Sequence, residues 1–247
     1  MTEHTTIALV TGANKGIGLE VAGQLAARGM TVLLAARHPG RRERAAADLR
    51  AKGLDVHPLA LDVTDAVSVR DAAAHVGERF GVLDVLVNNA GISGGAAHPP
   101  STADVEVMRR VFDTNVLGVV RVTTALLPLL KKSQAGRVVN ISSGTGSMAQ
   151  MTDPEHYMSR LPAQIAYPAS KAALNMVTVQ YAKELHPLGI LVNAAAPGAC
   201  ATDFTRDVPM KIDRTAADGA AIAVKLATLG PDGPTGGFFD DDGPVRW

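Results

Sequence analysis

Only one of the 247 residues is cysteine, Cys200. No internal disulfide can therefore form, and the chain suits a reducing compartment. Unpaired, Cys200 reads as a small buried hydrophobe. The seven histidines show no H-E-x-x-H spacing and no partnership with cysteine, which gives no metal site. Neither sign of charge is in excess, since Lys and Arg total 24, as do Asp and Glu. That balance removes any argument for nucleic acid or an anionic membrane as partner. Residues 1–4 lack the basic start and apolar run of a secretory signal. The most apolar long stretch, 116–130, is broken by Arg121 and falls short of the ~18 residues expected of a membrane span. No repeat, low-complexity run or linker-like composition interrupts the chain. The expectation is a soluble, cytoplasmic protein with a single domain spanning 1–247.

What is present is apolar and alternating. Hydrophobic residues make up 47%, enough for a sizeable core. Apolar runs at 7–10, 31–36, 56–61, 83–87, 137–141 and 189–193 read as buried strands, with a short seventh at 236–239. Helical spacing marks 19–26, 41–52 and 65–80, a helix from about 103, another at 115–132, and two more at 169–185 and 216–229. The stretch of roughly twenty residues before 167 reads as a loop. Strands alternating with helices specify an α/β fold, one parallel sheet covered on both faces. Open sheets of this kind bind ligands at the carboxyl ends of their strands, where strands three to six all place polar residues.

Gly12, Gly16 and Gly18 fall between the first strand and the first helix, with Asn14, Lys15 and Ile17 among them. Such a turn lets backbone amides approach a pyrophosphate, and the helix dipole favours the anion. The spacing G-x-x-x-G-x-G departs from the G-x-G-x-x-G of the common dinucleotide fingerprint. NAD-preferring folds usually carry an acid at the end of the second strand, about 20 residues past the glycines. Here that region holds Arg37 and His38, with no acid before Glu43. Arg37 is placed to meet a 2′-phosphate by charge-assisted hydrogen bonds, and Lys15 adds a second cation. The cofactor read from this pattern is NADP(H).

Tyr167 and Lys171 stand four residues apart at the head of a long apolar segment, so a helix puts them on one face. A neighbouring cation favours the phenolate of a tyrosine whose ordinary pKa is near ~10. The pair therefore suits proton transfer at neutral pH. Pro168 fits a helix's first turn and disfavours the helical region for the residue before it, which sets Tyr167 at the helix mouth.

Together with Asp62-Val63, Asn88-Asn89-Ala90-Gly91, Asn115-Val116, Ser143 and Pro197-Gly198 with Thr202, these motifs resemble the short-chain dehydrogenase/reductase family. The likeness covers nearly the whole chain and is greatest to the carbonyl-reductase branch. It implies a single-domain, Rossmann-type doubly wound parallel sheet and an NADP(H)-dependent oxidoreductase acting on carbonyl or alcohol groups. Tyr167 resembles the proton donor, and Lys171 the residue that lowers its pKa and holds the nicotinamide ribose. Ser143 resembles the hydroxyl that orients the substrate oxygen; it is chosen over Ser142 because the family's Ser-x-x-Gly then ends at Gly146. Asn115 resembles the helix residue whose backbone carbonyl holds a proton-relay water, although an asparagine there also suits a helix N-cap. Asp62 and Val63 resemble the adenine contacts, and Asn88, Ala90 and Gly91 the wall beside the adenosine ribose. Pro197, Gly198 and Thr202 resemble the nicotinamide-side loop.

Two departures from the family stand out. Ser143 and Tyr167 are 24 positions apart, about twice the usual separation. The extra residues, about 148–163, include Met148, Met151, Tyr157, Met158 and Leu161, and are expected to wall the substrate site in favour of an apolar ketone, aldehyde or quinone. The lid region, about 203–213, is short and carries Phe204, Val208, Pro209 and Met210. Family helices beginning near Asn115 and Tyr167 often pair between subunits, so a homo-oligomer (dimer or tetramer) is expected. A monomer is the alternative if the insertion caps that surface. The implied reaction is NADPH-dependent carbonyl reduction. The same residues would serve an alcohol or steroid-type dehydrogenase, and a non-catalytic NADP-binding regulator would share the fold.

Overall fold

The computed structural model describes residues 5–95, 99–206 and 211–247. Its strands are β1 (Ile7–Thr11), β2 (Thr31–Ala36), β3 (Val56–Ala60), β4 (Val85–Asn88), β5 (Arg137–Ile141), β6 (Leu191–Ala195), β7 (Phe238–Asp240) and β8 (Gly243–Pro244). They form one sheet in the order β3-β2-β1-β4-β5-β6-β7-β8. Every neighbouring pair is parallel except the last. Parallel strands covered on both faces can be apolar at every position, and β1, β2, β5 and β6 are buried along their whole length.

The helices are α1 (Gly16–Ala26), α2 (Pro39–Arg50), α3 (Ala66–Phe80), α4 (Val105–Phe112), α5 (Gly118–Leu130), α6 (Met148–Thr152), α7 (Ala166–Leu185) and α8 (Ala216–Ala227). On one face of the sheet, Val21 and Leu25 of α1, Leu49 of α2 and Ile222 of α8 pack with Val10, Leu34 and Val87. On the other, Val76 of α3, Leu126 and Leu130 of α5 and Leu185 of α7 pack with Leu9, Leu33 and Leu86. Burying each such side chain is worth about 1.5–3 kcal/mol. The chain winds outward from β1 to β3, then returns to lay β4 on the other side of β1. That reversal opens a crevice at the carboxyl ends of β1 and β4.

Three elements depart from the sequence reading. The two helices expected from about 103 and at 115–132 are one helical run, Val105–Leu130, joined through a π turn at Asp113–Leu117. By length and composition this longer run could cross a membrane, unlike 116–130 alone, yet half of its apolar window is buried inside the protein. The expected loop before Tyr167 contains a 3-10 turn at Gly144–Gly146, α6, and a second 3-10 turn at Tyr157–Arg160. At the carboxyl end, the tail folds back as β8 to close an antiparallel hairpin on β7, and the Val245 N–H donates to the Phe238 carbonyl at 2.7 Å.

Candidate active site

The glycine turn follows β1 directly. At Gly12 the backbone takes φ 63°, and a Cβ would lie 2.9 Å from the Ala90 Cα, so glycine is required on both counts. Both neighbouring strands pin the turn. The Ala13 N–H donates to the Ala35 carbonyl at 3.0 Å. From the end of β4, Asn89 Nδ2 donates to the carbonyls of Thr11 (2.8 Å) and Gly12 (3.3 Å). The Thr11 hydroxyl oxygen in turn accepts the N–H groups of Asn89 and Ala90 at 2.9 and 3.0 Å. Gly18 leaves the space that the Asn89 amide fills.

This turn delivers α1 with a bare first turn, because Lys15 at its N-cap makes no side-chain capping bond and the first turn holds no acid. By contrast, α2, α3, α4 and α8 are capped by His38, Asp65, Asp104 and Thr215. Uncapped first-turn N–H groups, aligned with the helix dipole, are the donors an anion such as a pyrophosphate uses. Asn14, Gly16 and Ile17 are half-buried around them, and Ile17 packs beside Gly219 of α8.

Beyond β2 and β3, Arg37 lies exposed and Asp62 half-buried. Burial works to raise the Asp62 carboxyl. Hydrogen bonds from the Thr64 hydroxyl and N–H, with the charge of Arg37, nonetheless hold it below its ordinary value. Lys15 is engaged elsewhere, with Nζ 2.8 Å from Asp203 Oδ2. The two cations that the sequence groups together thus face different carboxylates.

On the adenosine side, the side chains of Asn88 and Val63 are both buried in the core. The Asn88 side chain turns into the core, where Nδ2 donates to Thr123 Oγ1 (3.0 Å) and Asn140 Oδ1 (2.9 Å). Asn140 continues the ladder to Thr178 of α7 at 2.9 Å. Asn88 is still in register with Asn140 across β4 and β5, so the pleat fixes its direction. Val63 belongs to the core on the α5 face, against the position where a Gly118 side chain would begin. Both residues are left with only their backbone for a ligand, while Ala90 and Gly91 stay half-buried at the sheet edge.

Asn115 lies in the π turn and is fully buried, not at a helix N-cap. Its Oδ1 accepts the Ile92 N–H (2.9 Å), and its Nδ2 donates to the Ile92 carbonyl (3.0 Å) and to Ser170 Oγ (3.0 Å). The side chain thereby braces the segment after β4 against α7. A Cβ on Gly91 would lie 3.3 Å from Asn115 Oδ1 and 3.8 Å from Lys171 Nζ, so the three residues meet at one corner. Lys171 Nζ donates to the Ile141 carbonyl at 2.7 Å and sits 5.5 Å from the centre of the Tyr167 ring.

The Tyr167 hydroxyl lies beside Ser143, whose hydroxyl works to lower its pKa. Ser143 caps the Gly144–Gly146 turn, where its oxygen accepts from the Thr145 N–H (3.3 Å) and hydroxyl (3.0 Å). Ser142 points away and donates to Asn175 Oδ1 of α7 at 2.5 Å. Helix α7 begins at Ala166, so Tyr167, its second residue, stands at the helix mouth with Lys171 about one turn further in. A first-turn proline costs little because its missing N–H would have no partner there. The lysine leaves the phenol's pKa high: burial pushes Tyr167 up to about 12 against the opposing Ser143 bond, and pushes Lys171 down to about 8. The expectation that Lys171 lowers the phenol is overturned: burial is the dominant cause at Tyr167 and the cause at Lys171.

Around this pair the insertion contributes unevenly. Met158 covers Gly144, next to Ser143. Met151 and Leu161 are half-buried, and Met148 and Tyr157 are 69% and 58% exposed, so the insertion is not a wall of five side chains. The Phe204 ring lies 5.4 Å from the Tyr167 ring, tilted by 58°. Val208, Pro209 and Met210 of the expected lid lie outside the described residues. In the loop after β6, Pro197 is buried, Gly198 exposed and Thr202 half-buried. The Thr202 methyl stands 3.6 Å from the position a Gly16 side chain would take. Cys200 is buried against Gly219, and burial raises its thiol. Sequence reasoning missed Asn89 and Thr11 as clamps of the glycine turn, although the polar pair closing an apolar strand pointed to that edge.

Residues 6–213 match the short chain dehydrogenase family. Short-chain dehydrogenase anuI of Penicillium roqueforti (strain FM164) is 38% identical over an alignment of 242 positions that covers 96% of this chain and 94% of that protein. (-)-Isopiperitenone reductase of Mentha piperita is 32% identical over an alignment of 314 positions that covers 98% of each chain. Among solved structures, NADPH-bound carbonyl reductase from chicken fatty liver aligns over 98% of both chains with a TM-score of 0.85 and 31% identity. The chain belongs to the short-chain dehydrogenase family. It is a Rossmann-type oxidoreductase that works with a nicotinamide dinucleotide.

Proposed function

We propose that this protein is an NADPH-dependent carbonyl reductase in which Tyr167 donates the proton. The observation that carries the reading is the Ser143–Tyr167 hydroxyl pair, with Lys171 Nζ 5.5 Å from the ring, at the sheet edge that also holds the uncapped end of α1. The first turn of α1 would hold the pyrophosphate, Arg37 the 2′-phosphate, Lys171 the nicotinamide ribose, and the loop from Pro197 to Thr202 the nicotinamide side. When bound, the cofactor supplies the hydride. Two hydroxyls directed at one carbonyl oxygen stabilise the negative charge that grows there. Tyr167 then gives up its proton to that oxygen. A phenol held at about 12 stays protonated across the physiological range, so the proton is in place for donation to the carbonyl oxygen. Met158 and Phe204 beside the pair favour an apolar ketone, aldehyde or quinone.

The test is NADPH consumption against quinones, aromatic aldehydes, ketoesters and steroids, with NADH run in parallel to probe the Arg37 assignment. Tyr167→Phe is expected to lower kcat by about 10²- to 10⁴-fold, the usual contribution of a positioned proton donor. A variant that kept most of its turnover would overturn the mechanism, and no turnover with any class would overturn the activity.

A further inference from the structure

Arg214 makes more connections than any role so far assigned requires. Its Nε donates to the Pro197 carbonyl at 2.8 Å, in the loop that follows β6. One terminal nitrogen donates to the Asp218 carbonyl in the first turn of α8 (2.9 Å) and to the Asp241 carboxylate in the β7–β8 turn. Its own backbone carbonyl accepts the Ala201 N–H at 2.8 Å. The guanidinium also lies 3.4 Å from the position a side chain on Gly198 would take. Both ends of the 197–201 loop are therefore held by this one residue.

The hairpin that Arg214 grips reaches the other side of the cleft. Beyond Asp241, Trp247 stacks on Phe238 with ring centres 5.4 Å apart. The Arg246 carbonyl accepts the Ser147 hydroxyl at 2.5 Å, and the Trp247 carbonyl accepts the Ala149 N–H at 3.0 Å. Ser147 is fully buried and begins the insertion, four residues beyond Ser143. A continuous set of bonds thus runs from the Pro197 carbonyl through Arg214, the hairpin and the tail to the segment carrying Ser143.

We infer that Arg214 is a positioning residue: it fixes the Pro197–Gly198 loop relative to the Ser143–Tyr167 pair and so sets the spacing across which hydride is delivered. The inference rests on the carbonyl-reductase reading. A planar guanidinium supplies several donors in one rigid fork, which a lysine ammonium cannot reproduce. Displacements of about 1 Å at a reacting centre cost up to about 100-fold in rate, so a looser brace registers in the chemical step.

The experiment compares wild type, Arg214→Lys and Asp241→Asn in three measurements: the single-turnover rate of NADPH oxidation by a carbonyl substrate, NADPH affinity and melting temperature. Arg214→Lys is expected to slow hydride transfer about tenfold while NADPH affinity stays within about twofold and the protein stays folded at the assay temperature. Asp241→Asn keeps the bond to Pro197 and releases only the hairpin, so a smaller loss of about threefold is expected. Transfer as fast as wild type in Arg214→Lys, or a loss that merely tracks unfolding in both variants, overturns the inference alone. No turnover by the wild type overturns the activity and this inference with it.

Discussion

The two walls of the cleft are built differently. On the cofactor side, the bonds that tie Thr11, Gly12 and Ala13 to Asn89, Ala90 and Ala35 run within the sheet edge, away from open solvent. On the substrate side, the bond from Ser147 to the tail is shielded as well, but Phe204 on Tyr167 and Lys15 on Asp203 lie nearer solvent. Breaking a shielded hydrogen bond leaves a polar group without a partner, whereas water readily replaces an exposed one. The first wall should therefore tolerate almost no change, while the second is free to vary with the substrate.

Lys171, where the walls meet, should give the largest effect. Burial holds its folded pKa at about 8 against an ordinary 10.5. Between those values the unfolded chain binds the extra proton, so this residue makes stability rise with pH from about 8 to 10.5. Below that window its full burial penalty stands, about 3 kcal/mol at 1.36 kcal/mol per pH unit. Tyr167 acts oppositely: its raised pKa means the folded state keeps the proton longer, and stability falls as pH climbs from 10 toward 12. Urea melts of the ligand-free protein between pH 7 and 10 should show stability rising, and Lys171→Met should abolish most of that rise. An unchanged slope in the variant would mean the ammonium is not desolvated as the geometry requires.

A smaller effect is expected at the cofactor wall itself. A Cβ at position 18 would displace the Asn89 amide and lie 2.9 Å from the Gly12 carbonyl. Gly18→Ala should therefore break the two bonds Asn89 makes to the turn, at a cost of about 1–3 kcal/mol. If the same free energy is lost from binding, the Kd for NADPH rises about 5- to 150-fold. Fluorescence titration with NADPH measures it. Affinity equal to wild type would show that the two walls do not differ in the way their bonding suggests.

Much of this architecture was legible because parallel strands buried on both faces are largely apolar along their length. The runs at 31–36 and 137–141 coincide with β2 and β5 to the residue. What escaped depends on pairing across the chain. Which of two adjacent asparagines faces the cleft is decided by the register of Asn88 with Asn140, and a single strand carries no record of its neighbour. β8 is two residues long and exists only because its partner lies nearby. The Tyr167–Lys171 spacing was plain, but the direction of the phenol's pKa turned on desolvation. Arg214 looked like any other cation, since its partners at 197, 218 and 241 converge only in three dimensions.

The Lys15–Asp203 pair tests how sharply the walls divide, because it joins them. Lys15 belongs to the glycine turn and Asp203 to the turn that carries Phe204, and both side chains are about half exposed (52% and 50%). Beside them, Gly16 meets Thr202, so the link spans the gap over the first turn of α1. Asp203 is also shared with Arg206, and losing one of its two cations leaves the other in place. Exposed pairs contribute little to stability and are screened by salt. Asp203→Asn should therefore leave the melting temperature within about 2 °C and move the Kd for NADPH by less than about threefold, with the difference disappearing at high salt. A tenfold change in affinity that persisted in salt would mean Lys15 answers to Asp203 as tightly as the turn answers to Asn89. The boundary between the walls would then run through the 202–205 turn, with Phe204 and its contact to Tyr167 on the cofactor side.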